Sequence, residues 1–439
     1  MGTAYAVIDL GFGDAGKGSI VDFLARGPTM SPSGAGVVVR WHGGAQAGHR
    51  VVAPDGRAHV FAQFGAGSFV PHVKTHLAEG FVLDPLAMLG EAAQLDALGV
   101  PSVMGRLSID PRALVITPFA RAANRLRERA RGAGAHGSCG IGFGETVRLS
   151  LLDPDLRITV SDLHRPASLP RRLRRIQEHL RADLADVFAS VGDAPERALF
   201  ESSHGSEAWI ASLAPLLTHD VMRDGSALRA ELAGPRPVIF EGAQGVLLDE
   251  WMGFHPHTTW STCTSHGFDA LLDTLGHDGE RLRFGLMRSY MTRHGQGPMP
   301  THEAALNRLP EAANGDTGWQ GHFRRGWLDM TLLRYALEVS PVDALAVTHL
   351  DCVDETFHVA ASLLGPDVPG LVEGHRLVPS SDLEDLEHQQ RLTDWLNSVR
   401  PELTPTPDSE SLIARVETEL SRPVRITSSG PSAHAKNLH

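Results

Sequence analysis

Cysteine is scarce in this sequence. Cys139, Cys263 and Cys352 are the three in 439 residues, too few and too scattered for a disulfide framework, so a reducing compartment, the cytoplasm, is expected. No run of about 18 apolar residues occurs, which excludes a membrane-spanning helix. No signal peptide is read before "TAYAVIDLG", which begins at residue 3 and reads as a strand. Positive charge is not in excess either: the formal net charge is -12, and without a basic field a general nucleic-acid or membrane-surface binder is excluded. Lysine is as rare as cysteine. Of 40 basic residues only Lys17, Lys74 and Lys436 are lysines, a bias that points to coding in a GC-rich genome. Lys17 stands out against it, because a compact ammonium fits between phosphate oxygens where a planar guanidinium does not.

What is present describes a globular protein. Hydrophobic residues make up 42% of the chain, enough to fill a substantial core. Short apolar runs end in glycine-rich or polar loops: "YAVIDL", "AGVVVRW", "RPVIFEGAQG", "RFGLMRSYMTRHGQG", "ALAVTHLD" and "PVRITSSGP". Helical stretches lie between them. The expectation is an α/β fold, a doubly wound and mostly parallel central sheet of phosphate-loop-like type with helical insertions. Ligands then gather at the carboxyl ends of the strands. The charged segment from about 120 to 235 reads as a helix-rich insertion covering the sheet, within one unit spanning 1–439.

The stretch "GFGDAGKGSIVD", residues 11–22, follows the first strand and opens a helix. Gly11, Gly16 and Lys17 fall on the G-x-x-x-x-G-K phosphate-loop pattern, but Gly18 stands where a Ser or Thr hydroxyl belongs, and an acid, Asp14, lies inside the loop. Backbone N–H groups from Gly13 through Ala15 and Gly16 to Gly18 can form an anion nest at the helix N-terminus. An acid facing phosphate is repulsive unless a divalent cation lies between them, or unless it takes a proton from a substrate. Asp14 can do both, as magnesium ligand and as general base.

His49 ends the glycine loop "GGAQAGHR" and is read either as a structural histidine or as a donor to a phosphoryl oxygen. Gln244 in "FEGAQG" is placed to read a heterocycle edge, since an amide both donates and accepts. Arg324 and Arg325 in "FRRGWLD" are either solvated or grip a carboxylate or phosphate. The histidines and Cys263 of "WMGFHPHTTWSTCTSHG" match no tight zinc spacing. "THLD" resembles the base-reading element of guanine-nucleotide proteins, with Asp351 as the acceptor of guanine N–H groups.

Taken together, these stretches resemble the adenylosuccinate synthetase family, which joins aspartate to inosinate using GTP. "GFGDAGKGSIVD" is similar to the family's W-G-D-E-G-K-G-K-I-V-D, "GGAQAGH" to G-G-x-N-A-G-H, and "VIFEGAQGVLLD" to F-E-G-A-Q-G-x-L-L-D. "YMTRHGQGPMPTHE", "RRGWLD", "THLDCVD" and "SSGP" follow in family order, so the likeness runs from residue 11 to 431. The resemblance implies that Asp14 removes the ring N–H proton and contacts magnesium, and that His49 assists phosphoryl transfer from GTP to the ring oxygen. It implies a second magnesium ligand in the Gly48 carbonyl. Gly13 to Gly18, Asp351, Ser429 and Gly430 would hold GTP. Gln46, Ser138, Cys139, Arg148, Gln244 and Thr259 fall on acceptor-nucleotide positions, and His294, His322 and Arg324 on amine positions. A homodimer with shared sites, acting on a nucleotide and an amino acid in purine biosynthesis, is also implied.

Departures cluster where the substrates would sit. Gln46 replaces an Asn, Ser138-Cys139-Gly140 replaces Thr-Thr-Gly, and the Thr-rich V-T-S-S-N stretch reads Thr258-Thr259-Trp260-Ser261-Thr262. The amino-acid loop T-T-G-R-R-R-R reads Trp319 to Arg325, with both threonines and part of the arginine run lost, and His294 and His349 replace a Val and a Lys. A pocket so changed would bind the same aspartate dicarboxylate at a heavy cost. The expectation is therefore a GTP-dependent carbon–nitrogen ligase whose acceptor is a purine-like nucleotide, in a specialised pathway. Housekeeping adenylosuccinate synthesis is the alternative, and a GTPase that hydrolyses without ligating is the third reading.

Overall fold

A computed structural model of the chain describes residues 2–27, 34–134, 137–202, 204–311, 314–315 and 319–439. The helix-rich segment expected over 120–235 therefore includes Ala135, His136 and Ser203, which lie outside the described residues.

Strands Ala4–Asp9, Val37–Arg40, Val238–Glu241 and Ala344–Thr348 are buried at every residue. Continuous apolar runs of this kind, rich in β-branched residues, suit strands covered on both faces. They join a nine-stranded sheet with Ala4–Asp9 at its centre, between Val238–Glu241 and Arg281–Arg288. Every pairing in it is parallel except that of the last strand, Lys436–Leu438, with Val424–Ser428. Alternation along the first strand divides the interior: Tyr5 and Val7 enter one core, Ala4, Ala6 and Ile8 the other.

From Pro118 to Ala233 the regular elements among the described residues are helices. Helix Leu169–Asp183 shows why: it buries Leu169, Leu173, Ile176 and Leu180, one stripe at helical spacing, and leaves its arginines outside. No helix among the described residues is long and apolar enough to cross a membrane.

One stretch folds differently from its reading as a single strand. "RFGLMRSYMTRHGQG" leaves the central sheet after Arg288, and Tyr290–His294 joins a second, four-stranded sheet by antiparallel pairing with Phe323–Asp329. Ser289 makes the break: its N–H donates to Thr348 O at 2.9 Å and its hydroxyl to His349 O at 2.7 Å. The switch needs those two carbonyls, at the end of strand Ala344–Thr348 and just after it, which sequence distance hides. Because the parallel strands share one direction, Asp9, Arg40, Glu241, Arg288, Thr348 and Ser428 all end at the same edge of the sheet. The loops that follow them meet there.

Candidate active site

A cavity of about 1110 Å³ opens at that edge. Of the residues that the resemblance assigns to catalysis, magnesium, GTP, acceptor or amine, Ala15, Ser429, His322 and Arg324 do not line it and the others do; Gly11 and Arg325, singled out on their own patterns, do not line it either. Asp14, His49, Gln46, Gln244 and Asp351 thus face one space although up to 337 positions separate them, taking Asp351 from Asp14.

The phosphate loop is held from below. Asp14 adopts a left-handed conformation at φ 62°, between Gly13 at 100° and Gly16 at 89°, a geometry that tolerates an Asp better than most side chains. Its carbonyl accepts from Arg288 Nε, and the Gly13 carbonyl accepts from Thr292 Oγ1 at 3.3 Å. Thr348 Oγ1 donates to Ala15 O at 2.8 Å. The Asp14 carboxylate is left facing the cavity, with His294 Nε2 at 3.6 Å from Oδ2. Gly18 has a steric explanation: a Cβ there would stand 2.8 Å from the His49 carbonyl carbon and 2.9 Å from Arg50 O. The helix start lies against the strand that presents His49, and no hydroxyl-bearing residue fits between them.

His49 is buried, and its Nδ1 lies 2.5 Å from Glu241 Oε1. The other Glu241 oxygen accepts from Ala66 N–H at 3.0 Å. Burial, then the nearby Arg40 charge, lower the His49 pKa to about 4 against the pull of Glu241. Burial works against ionisation of Glu241 too, yet His49 and Arg40 hold it below the usual carboxylate range. The arrangement is a neutral imidazole donating Nδ1–H to a carboxylate, with Nε2 free of protein partners. The neighbouring His42 is neutral as well, lowered to about 3 by burial and by Arg40, and accepts Ala243 N–H at Nε2.

At the acceptor positions, both polar atoms of the Gln46 amide are enclosed without a protein partner, an unmet demand that a bound ligand can satisfy. Ser138 exchanges hydrogen bonds with Asn124 at 2.8 and 3.1 Å. Burial raises the Cys139 thiol. Arg148 reaches Glu145 at 2.5 Å and Asp183 at 2.6 Å, and Arg127 forms ion pairs with the same two acids. Gln244 sits at φ 53° and turns its carbonyl to Lys17 Nζ at 2.6 Å.

The amine positions divide. His294 lines the cavity beside Asp14. Arg324 is half-buried outside it, its Nη2 donating to Gly297 O at 3.0 Å, and His322 is exposed. At the base-reading end, Asp351 is exposed on the cavity wall and Gly430 lines it, while Ser429 is exposed outside. His349 occupies the turn before Asp351 at φ 57°. Burial first, then Arg288 and Lys436, push its pKa well below the usual imidazole value, so the ring is neutral. Its Nδ1 lies 2.9 Å from Thr348 Oγ1.

Sequence reading missed Asp9, Glu241, Arg288 and Thr348. Glu241 carried a signal: an acid ending the otherwise apolar "VIFE" must find a partner if that strand is central. Arg288 and Thr348 close strands in the same way. A magnesium ion prefers hard oxygen donors and keeps waters and substrate phosphates in its remaining positions. The Asp14 carboxylate and Gly48 carbonyl, both on the cavity wall, are donors of that kind.

The adenylosuccinate synthetase family model matches residues 6–436. Adenylosuccinate synthetase from Chlorobium luteolum is 30% identical, over 98% of this chain and 96% of that protein. The Neisseria meningitidis (serogroup A) protein of the same name is 29% identical over 97% and 96%. Among solved structures, fully ligated adenylosuccinate synthetase from Plasmodium falciparum has the same fold, at a TM-score of 0.76, 19% identity and full coverage of both chains. The cyanophage S-2L succinoaminodeoxyadenylate synthetase (bound to dGMP and dATP as an energy donor) is similar at a TM-score of 0.60 and 16% identity, covering 100% of this chain and 95% of that one. The chain belongs to the adenylosuccinate synthetase family and is a GTP-dependent ligase forming carbon–nitrogen bonds.

Proposed function

We propose that this ligase phosphorylates the ring carbonyl oxygen of a purine-like nucleotide, inosinate or an analogue, and displaces the phosphate with the amine of an amino acid, releasing GDP and phosphate. The observation that carries this reading is the meeting of Asp14 and His49 on one cavity wall, beside the phosphate loop. Asp14 is the base: its carboxylate takes the lactam N–H proton, which drives electron density onto the ring oxygen that attacks the γ-phosphorus. Lys17 and the loop N–H groups bear on the donor phosphates.

His49 acts at the oxygen. In the free protein its Nε2 is an acceptor. Phosphate charge arriving in the cavity favours the protonated ring, and a protonated Nε2 donates to the oxygen as charge develops there. Glu241 fixes the ring and stabilises the imidazolium. Magnesium, held by Asp14 and the Gly48 carbonyl, would supply charge neutralisation between donor and acceptor. Gln46, Ser138, Thr259 and Arg148 are assigned to the acceptor nucleotide, and Gln244 to its base. His294 is assigned to the amine. Asp351 and Gly430 are assigned to the guanine end of the donor, with a neutral His349 in place of a lysine. The protein is proposed to work as a small-molecule enzyme in a homodimer.

The rewritten Ser138–Gly140 and Trp319–Arg325 loops favour an acceptor and amine other than inosinate and aspartate. Whole-length identity of about 30% to adenylosuccinate synthetases favours the standard pair. Phosphate release with GTP, magnesium, inosinate and aspartate decides between them. Adenylosuccinate as product establishes the housekeeping reaction. Absence of turnover with GTP still bound sends the search to other acceptors and amines, swapped singly. Phosphate release that needs no acceptor would overturn the ligase reading of the cavity.

A further inference from the structure

Beneath the phosphate loop lies a carboxylate that the proposed chemistry leaves unused. Asp9 ends the central strand, is 2% exposed, and is not part of the cavity wall. Its Oδ1 accepts from Gly11 N–H at 2.9 Å. Its Oδ2 accepts from Ala15 N–H at 2.9 Å and from Lys17 Nζ at 2.8 Å. Lys17 Nζ donates again to Gln244 O at 2.6 Å. An ammonium has three N–H donors. Two are spent inside the protein, and one is left for the cavity that Lys17 lines. A lysine on a flexible stem is a mobile point charge. This one is fixed at two points, and its charge is offset at contact distance.

We propose that Asp9 is a positioning residue for phosphoryl transfer. It holds Lys17 so that the remaining N–H meets the phosphoryl group in flight, and it weakens the lysine's attraction for the donor triphosphate in the ground state. Interactions felt more strongly in the transition state than in the bound donor are the ones that raise kcat. The inference rests on the reading that this loop takes the triphosphate of GTP.

The test is Asp9→Asn, which keeps the size and one acceptor oxygen but removes the charge. GTP titrated into the variant without magnesium is expected to bind about tenfold more tightly than to the wild type, because the ammonium loses a charge-assisted partner and faces the phosphates uncompensated. With magnesium and a competent acceptor, kcat is expected to fall about tenfold or more as Lys17 loses its fixed direction. Structural damage would weaken binding and slow turnover together, so opposite signs are the signature. Unchanged or weaker GTP binding by Asp9→Asn overturns the proposal. Failure of the wild type to bind GTP removes the donor reading itself, and the proposal with it. Should Asp9→Asn not fold, Lys17→Met and the double variant Asp9→Asn/Lys17→Met decide. A folded double variant with the GTP affinity of Lys17→Met supports the pairing. An unfolded double variant beside a folded Lys17→Met overturns it.

Discussion

His49 Nδ1 and Glu241 Oε1 lie 2.5 Å apart, joining the first residue of strand His49–Val52 to the last residue of the central-sheet strand Val238–Glu241. The contact turns a buried histidine of the cavity wall into an oriented one, with its second nitrogen buried and without a protein partner. Glu241→Gln removes the charge and the fixed acceptor while keeping the volume. We expect kcat to fall by about tenfold or more, less than the roughly 100-fold loss expected for His49→Ala, with the KM for GTP little changed. Steady-state kinetics on both variants and their double mutant checks this. Fully additive losses would mean that Glu241 does not act through His49.

Asp14→Asn should bind GTP within a few-fold of the wild type and lose about 100-fold or more of its turnover, because the amide cannot accept the lactam proton. Binding by calorimetry and rate by phosphate release separate the two effects. Turnover near that of the wild type would remove Asp14 from the role of base.

Gly18→Ser restores the hydroxyl of an ordinary phosphate loop. In this chain it should impair the enzyme, since the new Cβ would stand 2.8 Å from the His49 backbone. Overpacking of this kind costs about 1–3 kcal/mol, and the strand carrying His49 has to shift. Lower thermal stability together with reduced kcat is the expected outcome. An improved kcat would show that the gap is a lost magnesium ligand and not a packing requirement.

Asp329 gives a pH prediction away from the cavity. It caps helix Met330–Val339 through Leu332 N–H at 3.1 Å, and burial raises its pKa to about 7. The unfolded chain releases that proton near pH 4. Between those values the folded state holds a proton that the unfolded state does not, so the Asp329 contribution to stability falls as pH rises from about 4 to about 7, and levels off above. Asp329→Asn keeps the cap and removes the titration. Its stability relative to the wild type should therefore be higher at pH 8 than at pH 5, by about 1–4 kcal/mol. Urea unfolding at the two pH values measures it, and equal differences at both would place the Asp329 pKa in the ordinary range.

Arg324→Leu should leave the KM for the amine substrate within about threefold, and its main effect should be on the Gly297 turn that its guanidinium holds at 3.0 Å. One hydrogen bond of this kind is worth about 1 kcal/mol. A KM raised tenfold or more would show that the guanidinium turns into the cavity when substrate binds.

The sequence by itself determined the mostly parallel sheet, its phosphate loop and a set of the polar groups on the cavity wall. Those signals are local: apolar runs such as "YAVID" and "VIF" lie in register with their ends, and glycines mark the turns that follow. Family motifs placed Asp14, His49, Gln46 and Asp351 without any knowledge of their contacts. Only the tertiary structure decided what those groups touch. The partners of His49 and Lys17 include Glu241, 192 positions away, and the Gln244 carbonyl, 227 positions away. No periodicity encodes such distances. Parallel strand order does, because it brings every strand's carboxyl end to one edge, where a buried charge must find its complement. The same packing explains Gly18, which reads as a missing hydroxyl in the sequence and as the space required by the His49 backbone in the fold.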